Sequence, residues 1–483
     1  MRPEVILKVL GVMLTLFSIT LLPPMIIAFF SENKNHAPFI IAYILTLATG
    51  LSCWLPTRRQ QHDLRIRDGF VIVVLFWTVL ASFGALPLLL SENPAVSVTD
   101  AFFEAMSGLT TTGATVLVGI DELPISIRYY RQQLQWLGGM GIIVLAVAVM
   151  PMLGVGGMQL YRAETPGPIK NTKLTPRITE TAKALWYIYL GLTVICATAY
   201  WFAGMSFFDA ISHSFSTVAI GGFSTHDQSL GYFDSPAISM VAVVFMVVSG
   251  INFALHFTAW RSHRISTYFH DSEAKVFVGI LLILSIVTVV VLLAAGTFQT
   301  TGDALWHGIF QVVSMGTTTG FTTSGYHWWP SFLPAMLVLL SAVGGCAGST
   351  AGGIKVIRGI LLYKQGQRQI DRLIHPNALI PIKLGGKPVP EQILESVWGF
   401  FALYVLSYVI LGLAMTATGA DLVTAFSAVT ACLNNLGPGL GQVADNYSSL
   451  NNSGKWILSS AMLMGRLELY TLLVLLTPAF WRN

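Results

Sequence analysis

The sequence predicts an all-α polytopic membrane protein. Four pseudo-symmetric units surround one central pore, each a span, a pore helix, a glycine-bearing filter loop and a second span, and two extra spans precede them. Three observations carry this reading. Of the 483 residues 54% are hydrophobic and only 10% charged, which excludes an ordinary soluble protein. Apolar runs near the roughly 20 residues that a spanning helix needs occur at 5–30, 38–56, 69–90, 132–153, 183–204, 236–260, 275–296, 331–363, 396–416 and 455–480. Finally, Thr110-Thr111-Thr112-Gly113-Ala114-Thr115 recurs as Thr317-Thr318-Thr319-Gly320-Phe321-Thr322, with looser versions at Ala219-Ile220-Gly221-Gly222-Phe223 and Asn434-Asn435-Leu436-Gly437-Pro438.

The first run follows Arg2 and Lys8 as a secretory leader would, but it is too long and lacks a small-residue cleavage site, so it reads as a span. It pairs with the second run as an N-terminal unit, 1–68. The internal repeats then divide the chain into pore units at 69–160, 161–265, 266–372 and 373–483, the third with an interrupted last span.

Basic residues orient the chain. Arg58, Arg59, Arg65 and Arg67 follow the second run, and Arg162, Lys170, Lys173, Arg177 and Lys183 the fourth. Arg261, Arg264 and Lys275 follow the sixth, and Lys364, Arg368, Arg372, Lys383 and Lys387 the eighth. The loops between, which hold the glycine motifs, carry Asp209, Asp227, Asp234, Asp303, Asp421 and Asp445 instead. The positive-inside rule puts both termini in the cytoplasm and brings the motif loops in from outside. The net charge of +4 is thus a topology signal and not a sign of nucleic-acid binding.

Each glycine motif follows a short re-entrant helix, expected at Asp100–Leu109, Asp209–Val218, Ala304–Gly316 and Leu422–Leu433. Six residues before the aligned glycines Gly113, Gly222, Gly320 and Gly437 stand Ser107, Ser216, Ser314 and Ala431. Nine before stand Glu104, His213, Gln311 and Ala428. Non-helical backbone at membrane depth must line a water-filled path or be buried in protein. A helix C-terminus aimed there favours a cation. The backbone carbonyls of Thr111, Thr112, Ile220, Gly221, Thr318, Thr319, Asn435 and Leu436 are therefore assigned to ion coordination, since side chains differ between units and only backbone oxygen is common. Neutral oxygens suit a monovalent cation, whereas a divalent one recruits carboxylates. Glu104, two turns behind, reads as a helix anchor.

The eighth run breaks at Gly344-Gly345-Cys346-Ala347-Gly348-Ser349-Thr350-Ala351-Gly352-Gly353, too glycine-rich for a regular helix. Gly-Lys-Ser/Thr is missing and no strand precedes it, which argues against a nucleotide loop. Close helix packing is its competing reading. Arg466, inside the last run, has three candidate roles: partner to Glu468, cytoplasmic anchor, or positive barrier below the filter. Two-residue spacing and its distance from the cytoplasmic end disfavour the first two. Asn252 and His256 in the sixth run read as satisfied buried polar groups. Cys53, Cys196, Cys346 and Cys432 lack metal-ligand spacing and read as small buried hydrophobes.

These motifs resemble the Trk/Ktr/HKT superfamily of cation transporters, within it the membrane subunits of bacterial Trk potassium-uptake systems. The resemblance spans the chain. It rests on the filter loops, Gly-Gly-Met-Gly at 138–141, the run from Met158 through Arg162 to Glu164, the interrupted eighth span, and Gly465-Arg466-Leu467-Glu468 with Thr477-Pro478. It implies potassium, because glycine rather than serine stands at the aligned position of all four filters, with weaker exclusion of related ions such as rubidium, because the loops are not the Thr-Val-Gly-Tyr-Gly of tetrameric potassium channels. It further implies a moving gate at Gly344, Gly345, Gly348, Gly352 and Gly353 with Arg466 as barrier, a homodimer in the bacterial inner membrane, and a soluble nucleotide-binding regulator of the TrkA type. No cofactor is expected on the chain, and no enzymatic activity. The competing class is an alternating-access secondary transporter, proton- or sodium-coupled; four same-direction repeats argue against its inverted repeats.

Overall fold

In the computed structural model, residues 2–31, 35–59, 65–141 and 178–482 are described. The described residues are mostly helical. Among the described residues the strands are one short ribbon, Lys383–Leu384 against Lys387–Pro388, in the basic loop after the eighth run. Among the described residues six helices are long and apolar enough to cross a membrane: Pro3–Phe30, Ala37–Thr57, Arg67–Leu89, Lys183–Phe202, Ser272–Ala294 and Glu391–Ala417. Two bent pairs, Pro236–Gly250 with Phe253–Ser262 and Asn452–Arg466 with Tyr470–Leu476, add a broken span each. The fourth run begins on the helix Ile125–Gly139; its second half, the motif at 158–164 and the basic residues Arg162, Lys170, Lys173 and Arg177 lie outside the described residues.

The two front spans cross at glycine. A Cβ on Gly11 would stand 2.6 Å from the backbone nitrogen of Trp54, and one on Gly50 2.7 Å from that of Thr15. Without side chains at these points the backbones approach closely, the usual route to helix association where lipid removes the hydrophobic drive.

Four pore helices occur as anticipated: Val98–Leu109, Phe207–Ala219, Thr301–Gly316 and Leu422–Leu433. The first three begin two or three residues earlier than the sequence expectation, because Ser97, Ser206 and Thr300 cap them by accepting from the amides of Asp100, Asp209 and Asp303. The fourth reverses the pair, with Asp421 accepting from the Thr424 amide. Carboxylates in the first turn favour the helix N-termini.

Two spans expected to be straight are not. The sixth run turns by 93° at Ile251–Asn252, where Cys346 N–H takes the Gly250 carbonyl at 2.9 Å and the Asn252 side chain accepts from Ala254 N–H at 2.8 Å. The last run turns by 117° immediately after Arg466, with Glu468 and Leu469 at φ of 52° and 59°. His256 is satisfied as expected, ring nitrogens meeting Tyr268 Oη at 2.8 Å and the Val248 carbonyl at 2.9 Å. Cys196, Cys346 and Cys432 are buried and Cys53 is partly exposed.

Candidate ion pathway

Each pore helix ends the same way. The amides of Thr112, Gly221, Thr319 and Leu436 donate to the carbonyls of Ser107, Ser216, Ser314 and Ala431 at 2.9, 2.8, 2.8 and 2.8 Å. These acceptors are the residues six before the glycine that the sequence register singled out. The bond is the six-to-one closure of a helix whose last residue turns left-handed. That turn falls on Thr111, Ile220, Thr318 and Asn435, at φ of 54°, 55°, 66° and 54°. β-Branched threonine and isoleucine adopt it only against strain. The four glycines follow at φ of 83°, 79°, 84° and 97°.

The four segments meet in a ring. A Cβ on Gly113 would lie 2.1 Å from the Gly221 carbonyl oxygen, one on Gly222 2.0 Å from that of Thr319, and one on Gly320 2.0 Å from that of Leu436. A Cβ on Gly437 would lie 2.9 Å from the Thr112 oxygen and so closes the circle. In each case the oxygen belongs to the residue just before the next unit's glycine. No side chain fits here, and four like carbonyls face the same way around one axis.

The residues behind the ring were only partly visible in the sequence. Arg131 on Ile125–Gly139 donates to Glu104 at 2.8 Å, to the Ser224 carbonyl at 2.9 Å and to Thr115 Oγ1 at 3.1 Å. Glu104 also accepts from Val116 N–H at 2.9 Å, so it ties the pore helix to the extended segment that leaves the glycine. His213, its counterpart, meets Ser224 Oγ at 2.9 Å. Gln135 clamps the second segment, donating to the Gly221 carbonyl at 2.6 Å and accepting from Phe223 N–H at 3.0 Å. Tyr447 Oη donates to the Gly437 carbonyl at 2.6 Å. No spacing rule points to Arg131 or Gln135.

On one side all four glycines line a cavity of about 750 Å³, together with His226, Asp227, Tyr326 and Asp445. His226 stacks on Tyr232 with ring centroids 3.5 Å apart, bonds Asp121 and stands 3.5 Å from Asp209. Burial disfavours its charge, but the hydrogen bonds and attraction of Asp209 and Asp121 outweigh that and raise its pKa. Burial likewise opposes the charge of Asp121, and the bond to His226 more than compensates, lowering its pKa.

On the other side of the ring lies the interrupted span. The helices Leu333–Leu340 and Val356–Ile374 are joined by the loop 341–355. Gly344, Gly348 and Gly353 take φ of 66°, 75° and 73°, as the glycine run implies. The loop is bound to three of the four filter segments or their helices. Gly352 N–H donates to Thr318 Oγ1 at 2.7 Å, Gly353 N–H to the Asn434 carbonyl at 3.1 Å, and Thr350 Oγ1 to the Val218 carbonyl at 3.0 Å. Gly345 packs where a Cβ would stand 2.9 Å from the Gly250 oxygen. Glu273 accepts from the amides of Ala347 and Ile357 at 2.7 and 3.1 Å.

Arg466 serves the remaining segment. Its guanidinium donates to Thr111 Oγ1 at 3.2 Å and to the Gly138 carbonyl at 2.6 Å, with its carbon 5.4 Å from the Trp77 ring centroid. Glu468 bonds Arg358 on another helix. Arg358 in turn lies over the Phe400 ring at 4.0 Å.

The family model for TrkH, described as a cation transport protein, matches residues 35–482. The chain belongs to the TrkH family. It is 54% identical over 483 residues to the Trk system potassium uptake protein TrkH of Escherichia coli K12, covering 100% of both. It is 41% identical over 480 residues to TrkG of the same organism, 99% of each chain being covered. The crystal structure of the potassium transporter TrkH from Vibrio parahaemolyticus matches with a TM-score of 0.91 and 53% identity over 100% of both chains. Membership makes the chain a multi-pass membrane transport protein and not an enzyme. Among the described residues no group of three or more His, Cys, Asp or Glu is placed to hold a metal ion.

Proposed function

We propose that this chain carries potassium into a bacterial cell through the ring of four filter segments. The observation that carries the reading is the ring itself: four left-handed turns, four glycines and four carbonyl oxygens in cyclic order. The oxygens of Thr111, Thr112, Ile220, Gly221, Thr318, Thr319, Asn435 and Leu436 replace the water around a bare cation, and neutral oxygens suit a monovalent one. The relatives' names, potassium uptake proteins of the Trk system, support the choice of potassium. Expression in a cell lacking potassium uptake tests it. Growth should return at limiting potassium, with flux falling in the order potassium, rubidium, sodium. Equal flux of sodium, or no cation flux, would overturn the proposal.

The basic loops support a topology with both termini in the cytoplasm and the cavity that holds Asp227 and Asp445 facing outward from the inner membrane. The chain works as a homodimer, and a nucleotide-binding Trk regulatory subunit docks on the basic face. In this reading the loop 341–355 is the gate, held shut by the bonds from Thr350, Gly352 and Gly353. Each is worth about 1 kcal/mol net, so together they hold the closed state against modest forces. Deleting part of Gly345–Gly352 should raise flux in the absence of regulator on the order of tenfold. A folded deletion variant with equally regulated flux would make the loop a packing element.

A further inference from the structure

The 93° turn at Ile251 sends Phe253–Ser262 sideways from its span. If the span runs along the bilayer normal, this short helix lies nearly parallel to the membrane plane, at the level of the basic loops. Between it and the helix Ile178–Phe202 a groove of about 780 Å³ opens. Its walls are apolar: Ile188, Leu192 and Ile195 on one side, Val248, Ile251 and Ala259 on the other. Gly191 lies on the same wall, and a Cβ there would meet nothing within 4 Å. His263 and Arg264 stand at the rim, with Arg261 one turn away, all exposed. Among the described residues neither arginine has a carboxylate partner. Trp260, Ile265 and Phe269 beside them are 64%, 75% and 69% exposed.

We propose that this groove is a binding site for one anionic phospholipid of the cytoplasmic leaflet, its acyl chain lying along Gly191 and its phosphate on Arg264 and His263. The volume suits a small-molecule ligand. An interfacial helix with exposed aromatic and aliphatic residues sits where headgroups meet acyl chains, and basic pockets between spans on the cytoplasmic side select anionic headgroups. The cations at the rim distinguish this occupant from a neutral lipid, which would need the apolar walls alone. The groove also borders the intramembrane loop, since Phe253 N–H donates to the Gly348 carbonyl at 3.0 Å.

The test is native mass spectrometry of the purified full chain, delipidated and exposed to micelles holding equal phosphatidylglycerol and phosphatidylcholine. The chain should retain phosphatidylglycerol with a preference on the order of thirtyfold, about what two nearby cations provide. Arg261→Gln with Arg264→Gln should abolish the preference while some lipid stays bound. Gly191→Trp, which fills the groove from an open position, should lower retention of both lipids. Unchanged thermal unfolding of the variants would show that folding is not the cause. Equal retention of the two lipids by the unaltered chain, or undiminished retention in Gly191→Trp, would overturn the site. So would a double variant that keeps its lipid preference and loses a soluble protein partner instead.

Discussion

Replacing Gly113 by serine is expected to strip the protein of most of its discrimination between potassium and sodium. The new Cβ would stand 2.1 Å from the Gly221 carbonyl oxygen, a distance that no packed pair of atoms tolerates. Backbone φ at Gly113 is 83°, a region that L side chains adopt only at a cost. Relief requires the Gly221 carbonyl to move, and Gln135 holds that carbonyl with a bond of 2.6 Å. The first and second segments must then part. A filter selects by the number and placement of its oxygens around the bare ion, so parting two of four segments weakens the larger ion's advantage. A loss of about 1.4 kcal/mol in relative stabilisation already lowers the flux ratio tenfold. Alanine at Gly222 or Gly320 should do comparable harm, the facing oxygens being 2.0 Å away. Alanine at Gly437 should do less, because its nearest oxygen is 2.9 Å away. Relative uptake of potassium and sodium by vesicles with matched protein content measures this, and an unchanged ratio in Gly113→Ser would remove the filter assignment.

The graded effect follows from a ring whose existence, but not whose clamps, was legible in the sequence. Recurrent glycines and the serines six residues before them could be read because one backbone geometry, repeated four times, imposes one spacing four times. Ser107, Ser216 and Ser314 supply the closing carbonyl, as Ala431 does, so the register reports backbone and not hydroxyl chemistry. Arg131 and Gln135 each occur in one unit only, and nothing in a single chain marks them. Three of the four pore-helix starts lie two or three residues before the expected ones because the capping serine or threonine belongs to the preceding loop.

The bends were hidden for a different reason. Leu467-Glu468-Leu469 contains no glycine or proline, and hydropathy carries the last run straight through it. The break is tertiary in origin. Gly465 packs where a Cβ would lie 2.2 Å from the Leu433 oxygen, and the carboxylate of Glu468 is drawn to Arg358 on another helix. The glycine run at 344–353, by contrast, announces its own unwinding. Its bonding partners, the ends of the pore helices, become apparent only in three dimensions.

The same break positions Arg466, and its removal should raise cation flux once the gate is open. The guanidinium sits at the C-terminal end of Asn452–Arg466, where the helix dipole favours a cation, and its bonds to Thr111 and Gly138 hold it beneath the first filter segment. On the proposed pathway, a cation leaving that segment meets a fixed positive charge. Two unit charges 4 Å apart repel by about 1 kcal/mol in water and by more where the surroundings are less polar. Arg466→Ala should therefore raise potassium flux roughly fivefold to tenfold. The ion preference should hold, because the carbonyls choose before the arginine acts. The loss of two hydrogen bonds predicts a parallel fall in stability of about 1–3 kcal/mol, so flux has to be normalised to protein in the membrane. Arg466→Lys keeps the charge and loses the forked geometry, so it should leave flux near that of the unaltered chain while sharing the instability. If Arg466→Ala conducts no faster per molecule, or if lysine raises flux as much as alanine does, the arginine is a strut and not a barrier.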